Sequence, residues 1–129
     1  MTCPCGLGEP YDVCCGRFHR GEAEAPTAEA LMRSRFSAFA VRDEAYLLRT
    51  WHPSTRPPRV ELDPDQEWFR LDILGKQRGG LLDTSGTVEF RAQYRLGGRV
   101  GATDEHSRFV RDGGAWQYVG AIPQTRREH

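Results

Sequence analysis

All four cysteines of the chain lie within its first 15 residues, as the pairs Cys3/Cys5 and Cys14/Cys15. Thiolates are soft ligands that bind Zn²⁺ at about 2.3 Å, and four of them complete a tetrahedral shell with no position left for a substrate. The remainder of the sequence offers no further cysteine as a partner. The spacing therefore predicts one structural zinc site formed by Cys3, Cys5, Cys14 and Cys15.

Three other uses of these side chains stay open. A disulfide would need a strained bridge between near neighbours and an oxidising compartment. A redox-active thiol pair usually occupies a Cys-x-x-Cys motif at a helix N-terminus, and the sequence has no such motif. His19 follows Cys15 by four residues and could replace one sulfur as a ligand.

The residues around the cysteines form a more specific pattern, which reads Cys-Pro-Cys-Gly-x-Gly-x-Pro-Tyr-x-x-Cys-Cys-Gly over residues 3–16. It resembles the SEC-C zinc motif, found at the C-terminus of the SecA translocation ATPase and in many otherwise unrelated bacterial proteins. The resemblance implies the same four cysteine ligands. Related motifs often carry lysines between the cysteine pairs, whereas this one carries Glu9 and Asp12. That difference argues against docking on an acidic partner.

The overall charge excludes some function classes. The sequence contains 18 basic and 18 acidic residues, so its formal net charge is zero. A balanced charge gives no overall attraction to nucleic acid or to an anionic membrane. No apolar run approaches the roughly 20 residues of a membrane span, and the N-terminus lacks the features of a secretory signal. We expect a cytoplasmic protein without a membrane partner, and we disfavour nucleic acid as a partner.

Two helices are predicted beyond a small-residue linker at residues 21–26. Thr27 offers an N-cap, and apolar residues then recur at three- and four-residue steps from residue 28 to residue 40. This pattern indicates a helix with one buried stripe, and it leaves Ser34 and Ser37 on other sides. A second helix, capped by Asp43, should end near His52 because a proline follows.

The periodicity changes from helical to alternating after the proline-rich stretch. Phe69, Leu71 and Ile73 alternate with their neighbours, which indicates a strand with one buried face. Further strands are predicted at residues 88–95, 105–111 and 116–121, the last two joined by an Asp-Gly-Gly hairpin signal. The order of helices first and strands later predicts an α+β fold with the helices on one face of an antiparallel sheet.

Three segments extend the resemblance beyond the cysteines: PTAEALMRSRFSAF at residues 26–39, YLLRTWHP at residues 46–53 and HSRF at residues 106–109. Together with the SEC-C motif they resemble the YchJ-like family of bacterial proteins over residues 3–122. The resemblance implies a cone-shaped fold like that of nuclear transport factor two, and it implies no reaction. We divide the chain into a zinc knuckle (1–20), the linker (21–26), the cone domain (27–122) and a flexible tail (123–129).

The third strand of the cone carries the strongest candidate for catalysis. Glu105 shares a strand face with Phe109, so burial of Phe109 would direct Glu105 into an apolar cavity, where it could act as a general base. His52 could assist it from the end of the second helix. If the opposite face is buried, His106 becomes the pocket candidate instead. A structural role, with Glu105 accepting hydrogen bonds and His52 capping the second helix, is the stronger alternative.

Several further side chains could line a ligand pocket, although most aromatics of this kind only fill a core. The pocket candidates are Trp51, His52, Trp68, Tyr94, Glu105 and His106. We favour a non-catalytic, zinc-binding accessory protein that binds a protein partner through the knuckle or a small ligand in the cone. The alternative is a small isomerase-, dehydratase- or hydrolase-like enzyme that uses Glu105 or His52.

Overall fold

The structure is a computed structural model that describes residues 1–122, so the predicted tail lies outside the described residues. Its strands form one antiparallel sheet in the order β1-β2-β3-β4, with the helices packed on one face. This arrangement confirms the predicted α+β fold. In chain order the elements are a 3-10 turn (Tyr11–Val13), α1 (Cys15–His19), α2 (Ala28–Val41), α3 (Glu44–Arg49), β1 (Glu67–Arg78), β2 (Ser85–Leu96), β3 (Arg99–Asp112) and β4 (Ala115–Ala121).

Side-chain caps start α2 and α3 at the predicted residues. The Thr27 side chain accepts a hydrogen bond from the Ala30 amide at 3.0 Å, and the Asp43 carboxylate accepts one from the Tyr46 amide at 3.0 Å. Each cap satisfies an amide that has no partner within its helix. In the described part of the chain, every helix is too short or too polar to cross a bilayer.

Helix α2 is buried on two sides, and the prediction of one buried stripe is therefore wrong. Leu31 and Phe36 pack into the sheet core as expected. Ser34 and Ser37 are also fully buried, because the N-terminal segment and α3 cover the opposite side of the helix. Small hydroxyl side chains allow this close approach, and Ser34 donates its hydroxyl to the Leu31 carbonyl at 2.7 Å.

Strand β1 contains a bulge that reverses the predicted alternation at its start. The pairing with β2 shifts by one residue between Trp68 and Arg70, which leaves Phe69 as the extra residue. Trp68 consequently joins Leu71 against the core, while Phe69 turns to the outer face beneath the Arg95 guanidinium, at 4.0 Å. Bulges bend a strand and increase its twist.

Strand β3 begins six residues earlier than predicted, at Arg99 rather than Glu105. Its first part is mostly exposed and has no apolar alternation, so the sequence pattern carried no signal there. At Gly101 a Cβ would lie 2.6 Å from the Tyr94 ring, so a larger residue there would displace the end of the tyrosine side chain. The tyrosine therefore covers the glycine across the two strands.

Candidate functional site

The four cysteine side chains converge near the N-terminus. All four are buried, and their Sγ atoms lie within 4.8 Å of one another. The Sγ atoms of Cys5 and Cys14 are 3.6 Å apart. Neighbouring sulfurs around a tetrahedral ion with bonds of about 2.3 Å are separated by about 3.8 Å, so the cluster is close to the size that a metal needs. A disulfide would require about 2.05 Å, and all four cysteines are free.

Short-range backbone bonds hold the cysteines in place. The Cys3 amide donates to the Glu9 carbonyl at 2.8 Å, and the Cys14 amide donates to the Tyr11 carbonyl at 3.0 Å. Gly6 takes a φ of 91°, a left-handed conformation that lets the chain turn back just after Cys5. The segment thus obtains its shape from turns, without an apolar core of its own.

The thiols of the cluster share protons unequally. A hydrogen bond from Cys15 lowers the pKa of Cys5 to about 5, while burial raises the pKa of Cys14 to about 12. The same bond to Cys5, together with burial, raises the pKa of Cys15 far above its usual range. One thiolate is therefore stabilised by neighbouring thiols. A cation that binds all four sulfurs must displace the remaining protons.

His19 lies outside the group of four sulfurs. Its Nε2 is 2.8 Å from the Ser34 carbonyl, which can only accept, so Nε2 carries the proton. Its Nδ1 then accepts a hydrogen bond from the Tyr11 hydroxyl at 2.5 Å. Burial lowers the pKa of His19 below its usual range, which favours this neutral form. With both ring nitrogens bound, the side chain connects α1 to α2 rather than facing the sulfurs.

The N-terminal segment packs directly against α2 and α3. Cys3 Sγ lies 3.4 Å from the Ser37 hydroxyl of α2. Phe18 packs beside Tyr46, and its carbonyl accepts a hydrogen bond from Arg49 of α3 at 3.0 Å. The knuckle is therefore docked on the helices and is more than a module tethered by the linker.

Arg33 connects the knuckle to the sheet through charged neighbours. It donates to the Cys5 carbonyl at 2.7 Å and to the Glu29 carboxylate at 2.9 Å. Glu29 also accepts from Lys76 of β1 at 2.7 Å. Lys76 first, and Arg33 in addition, lower the pKa of Glu29 below its usual range. The series of contacts extends from the loop after Cys5 across α2 to β1.

A second candidate site is a cavity of about 200 Å³ between α2 and the sheet. It is smaller than the roughly 300 Å³ from which ordinary ligand pockets start. Aromatic side chains that include Trp51 and Trp68 form most of its wall. Its polar members are Arg35, Thr103, Glu105 and Tyr118.

Glu105 occupies the side of β3 that faces this cavity. Phe109 is fully buried on the same strand face, and β3 pairs with β2 without a register shift, so the alternation between them is kept. Glu105 Oε2 accepts hydrogen bonds from the Ser107 and Tyr118 hydroxyls, the latter at 3.0 Å. Two neutral donors therefore hold one oxygen of the carboxylate in place.

Three predicted pocket residues do not line the cavity. His52 follows Trp51 in an extended segment, so the two side chains point to opposite sides, and its Nε2 binds Asp112 at 3.1 Å. The structure therefore does not bring His52 to Glu105. His106 lies on the outer face of β3 by the same alternation. Tyr94 is on the inner face but contacts Trp68, at a ring distance of 4.9 Å, and does not reach the cavity.

Arg35 projects from α2 into the cavity wall and is only 3% exposed. Its Nη1 donates to the Leu47 carbonyl at 2.8 Å and to the Thr50 hydroxyl at 2.7 Å. The guanidinium lies over the rings of Trp51 and Tyr118, at 5.1 and 4.5 Å. Burial lowers the pKa of Arg35 to about 10, so the group stays charged at neutral pH.

Comparison with known proteins assigns the chain and its fold to a family. The family model described as YchJ, middle NTF2-like domain, matches residues 27–121. The chain belongs to the YchJ-like family. This assignment confirms the resemblance seen in the sequence and the fold like that of nuclear transport factor two.

Relatives of this YchJ-like chain match it over nearly its whole length. A UPF0225 protein of Streptomyces avermitilis is 60% identical over 118 residues, which cover 92% of the chain and 81% of that protein. A UPF0225 protein of Corynebacterium glutamicum is 54% identical over 116 residues, which cover 90% of the chain and 92% of that protein.

Two solved structures share the fold of the YchJ-like chain. The solution structure of a SEC-C motif containing protein from Rhodopseudomonas palustris has a TM-score of 0.82 at 33% identity, covering 97% of the chain and 100% of that protein. A crystal structure of a SEC-C motif containing protein from Psychrobacter arcticus has a TM-score of 0.75 at 25% identity, covering 97% and 85%.

In this YchJ-like chain Arg35 is a cavity residue that was not predicted from the sequence, although its position carries a signal. Arg35 lies four residues after Leu31 and three after Met32, in the middle of the apolar side of α2. Helical spacing alone therefore places a guanidinium among core residues. A charge at such a position has to find partners inside the fold.

Proposed function

We propose that this YchJ-like protein binds one Zn²⁺ ion through Cys3, Cys5, Cys14 and Cys15, and that the ion is structural. The convergence of four buried sulfurs within 4.8 Å of one another is the observation that supports this most. A shell of four thiolates leaves no position open for substrate. Free thiols also suit a reducing compartment, so a cytoplasmic location is part of the proposal.

The ion would serve an accessory protein that acts by binding. It would hold the knuckle against α2, where Leu7 and Val13 expose apolar surface for a protein partner. Glu9 and Asp12 are exposed on the same segment, and their negative charge disfavours nucleic acid there. The cone cavity, with its polar side chains, would accept a small ligand without reacting with it.

The metal assignment is tested on the purified full chain. Elemental analysis should find about one zinc per chain, and replacement of the ion by Co²⁺ should give the intense thiolate charge-transfer absorption of a tetrahedral sulfur site. Cys14→Ser should lose most of the bound metal, whereas Val13→Ser, which changes the exposed neighbour, should keep it. A knuckle that is folded and free of metal would contradict the proposal.

A small enzyme is the second candidate, and the position of Glu105 is the observation that favours it. This carboxylate lines the cavity beside the Tyr118 hydroxyl, an arrangement suited to moving a proton from or to a bound molecule. Turnover of an enolisable ketone, a hydroxy acid or an ester is the activity to measure. Glu105→Gln should abolish it without changing the unfolding midpoint; loss of stability alone would indicate a structural carboxylate.

A further inference from the structure

The cone cavity contains two opposite charges that do not pair with each other. Arg35 and Glu105 both line it, yet no carboxylate oxygen of the described residues lies within 4.0 Å of the Arg35 nitrogens. Arg35 is held by a carbonyl and a hydroxyl, and Glu105 by two hydroxyls. Neutral groups thus keep the charges in fixed positions on the wall of one space.

Each charged group keeps hydrogen-bonding capacity that the described residues leave unused. Both bonds of Arg35 come from Nη1, so Nε and Nη2 remain as donors. Both bonds of Glu105 reach Oε2, so Oε1 remains as an acceptor. These atoms are accessible from the cavity, because among the described residues the fully buried side-chain polar atoms that lack a partner comprise Thr87 Oγ1 alone. A molecule that entered the cavity could therefore bind them in place of water.

The charge of the cavity limits what that molecule can be. An anion would pair with Arg35 but would be repelled by Glu105. A cation would pair with Glu105 but would be repelled by Arg35. A neutral group that accepts on one side and donates on the other satisfies both residues without a net buried charge. An amide edge, with its carbonyl beside an N–H, is such a group.

Size and shape limit the rest of the ligand. About 200 Å³ is the space of six or seven waters, which is enough for one ring with a short substituent. The surrounding wall includes the rings of Phe36, Trp51 and Trp68, against which a flat molecule packs well.

We propose that the cone cavity binds a small, neutral, planar molecule with an amide or lactam edge, whose carbonyl accepts from Arg35 and whose N–H donates to Glu105. The proposal rests on the small-ligand part of the proposed function and states the chemical class of that ligand.

Three probes of nearly equal shape test this class: benzamide, benzoate and benzamidine, which are neutral, anionic and cationic. Each is titrated into the zinc-loaded full chain while backbone amide shifts are followed by NMR. Benzamide should bind about tenfold more tightly than either charged probe, because each of them brings an uncompensated charge into the cavity. The amides of β3 and the end of α3 should shift first.

Variants separate the two contacts. Glu105→Gln removes the repulsion of an anion, so benzoate should gain at least about tenfold relative to benzamide. His106→Gln alters the outer face of the same strand and should leave the order of the three probes unchanged. Equal or tighter binding of benzoate by the unmodified chain would overturn the proposed class while keeping a ligand cavity. If no probe binds at its solubility limit, the cavity proposal and the small-ligand function both fail, and the zinc centre is judged separately by its metal content.

Discussion

The cysteine cluster and the cone cavity bury polar groups in opposite ways. In the cluster, four identical donors from one short segment converge on a point, and turns within that segment position them. In the cavity, Arg35 and Glu105 come from a helix and a distant strand, and each is held apart from the other by neutral partners. The first arrangement suits a cation of high charge, and the second suits a neutral molecule with two polar edges.

The two regions also differ in what stabilises them. The cone has an apolar core that includes Leu31, Phe36, Val88 and Phe109, all nearly or fully buried. The core cluster of the knuckle consists of the four cysteines with Tyr11 packed against them. If the four cysteines bind an ion as proposed, a region so poor in apolar side chains depends on that ion for folding. The cone should therefore tolerate changes that the knuckle cannot.

Loss of the metal site should produce the largest effect. Cys5→Ser removes a central ligand and, with the ion, the order of the loop whose carbonyl binds Arg33. We expect zinc content near zero and a loss of about 4 kcal/mol in the free energy of unfolding, because losing a metal is among the most destabilising changes known. Urea denaturation and elemental analysis measure both quantities. Leu7→Ser, at an exposed position of the same loop, is the matched control. Equal zinc content and stability in the two variants would contradict the dependence of the knuckle on a bound ion.

A smaller effect is expected from the cone. Arg35→Met keeps the length of the side chain but removes the closer donor of the Leu47 carbonyl, which keeps only the Thr50 hydroxyl at 3.4 Å, and the change should cost about 2 kcal/mol. Zinc content should not change. Arg33→Met, on the same helix but facing the knuckle, should cost about 1 kcal/mol and loosen the metal loop. Denaturation midpoints compare the two, and a larger loss from Arg33→Met would place the critical guanidinium in the knuckle instead.

The smallest expected effect is a pH dependence at the junction of the two regions. Burial lowers the pKa of His19, so the unfolded chain takes up a proton more readily than the folded one as the pH falls below about 6.5. The contribution of His19 to stability is therefore complete above that pH and decreases below it. His19→Gln should flatten this part of the stability curve, measured in excess zinc.

His52→Gln is the control for that measurement, since His52 lies at the far end of the cone beside Asp112. A slope that responds to His52→Gln and not to His19→Gln would place the titrating group outside the junction.

Local features of this molecule could be predicted from the sequence, and features that depend on distant contacts could not. The close spacing of the cysteines indicates their clustering, and Thr27 and Asp43 cap helices as predicted, because each involves residues a few positions apart. The burial of Ser34 and Ser37 depends on the N-terminal segment and on α3, which pack over α2 from other parts of the chain. No pattern within the helix itself carries that information.

In the candidate pocket, too, local sequence patterns predict some positions and fail where strand pairing decides the outcome. Parity along β3 correctly relates Glu105 to Phe109, but parity along β1 fails at the bulge, where Phe69 leaves the core face and Trp68 enters it. A bulge depends on the pairing of two strands, so alternation in one strand cannot reveal it. Arg35 was missed for a different reason. Helical spacing places it on the apolar side of α2, but the groups that bind it there come from the end of α3 and cannot be found from the helix alone.

The charged series from Cys5 through Arg33 and Glu29 to Lys76 ends on an outer strand of the sheet. Outer strands present unpaired backbone groups to which another chain can add. A second chain that docked there and drew Lys76 away would leave Arg33 as the remaining partner of Glu29, and the position of the loop after Cys5 would change. Binding at the edge of the sheet would then alter the geometry of the cysteine cluster, and a change at the cysteines would alter the edge, across the width of one helix.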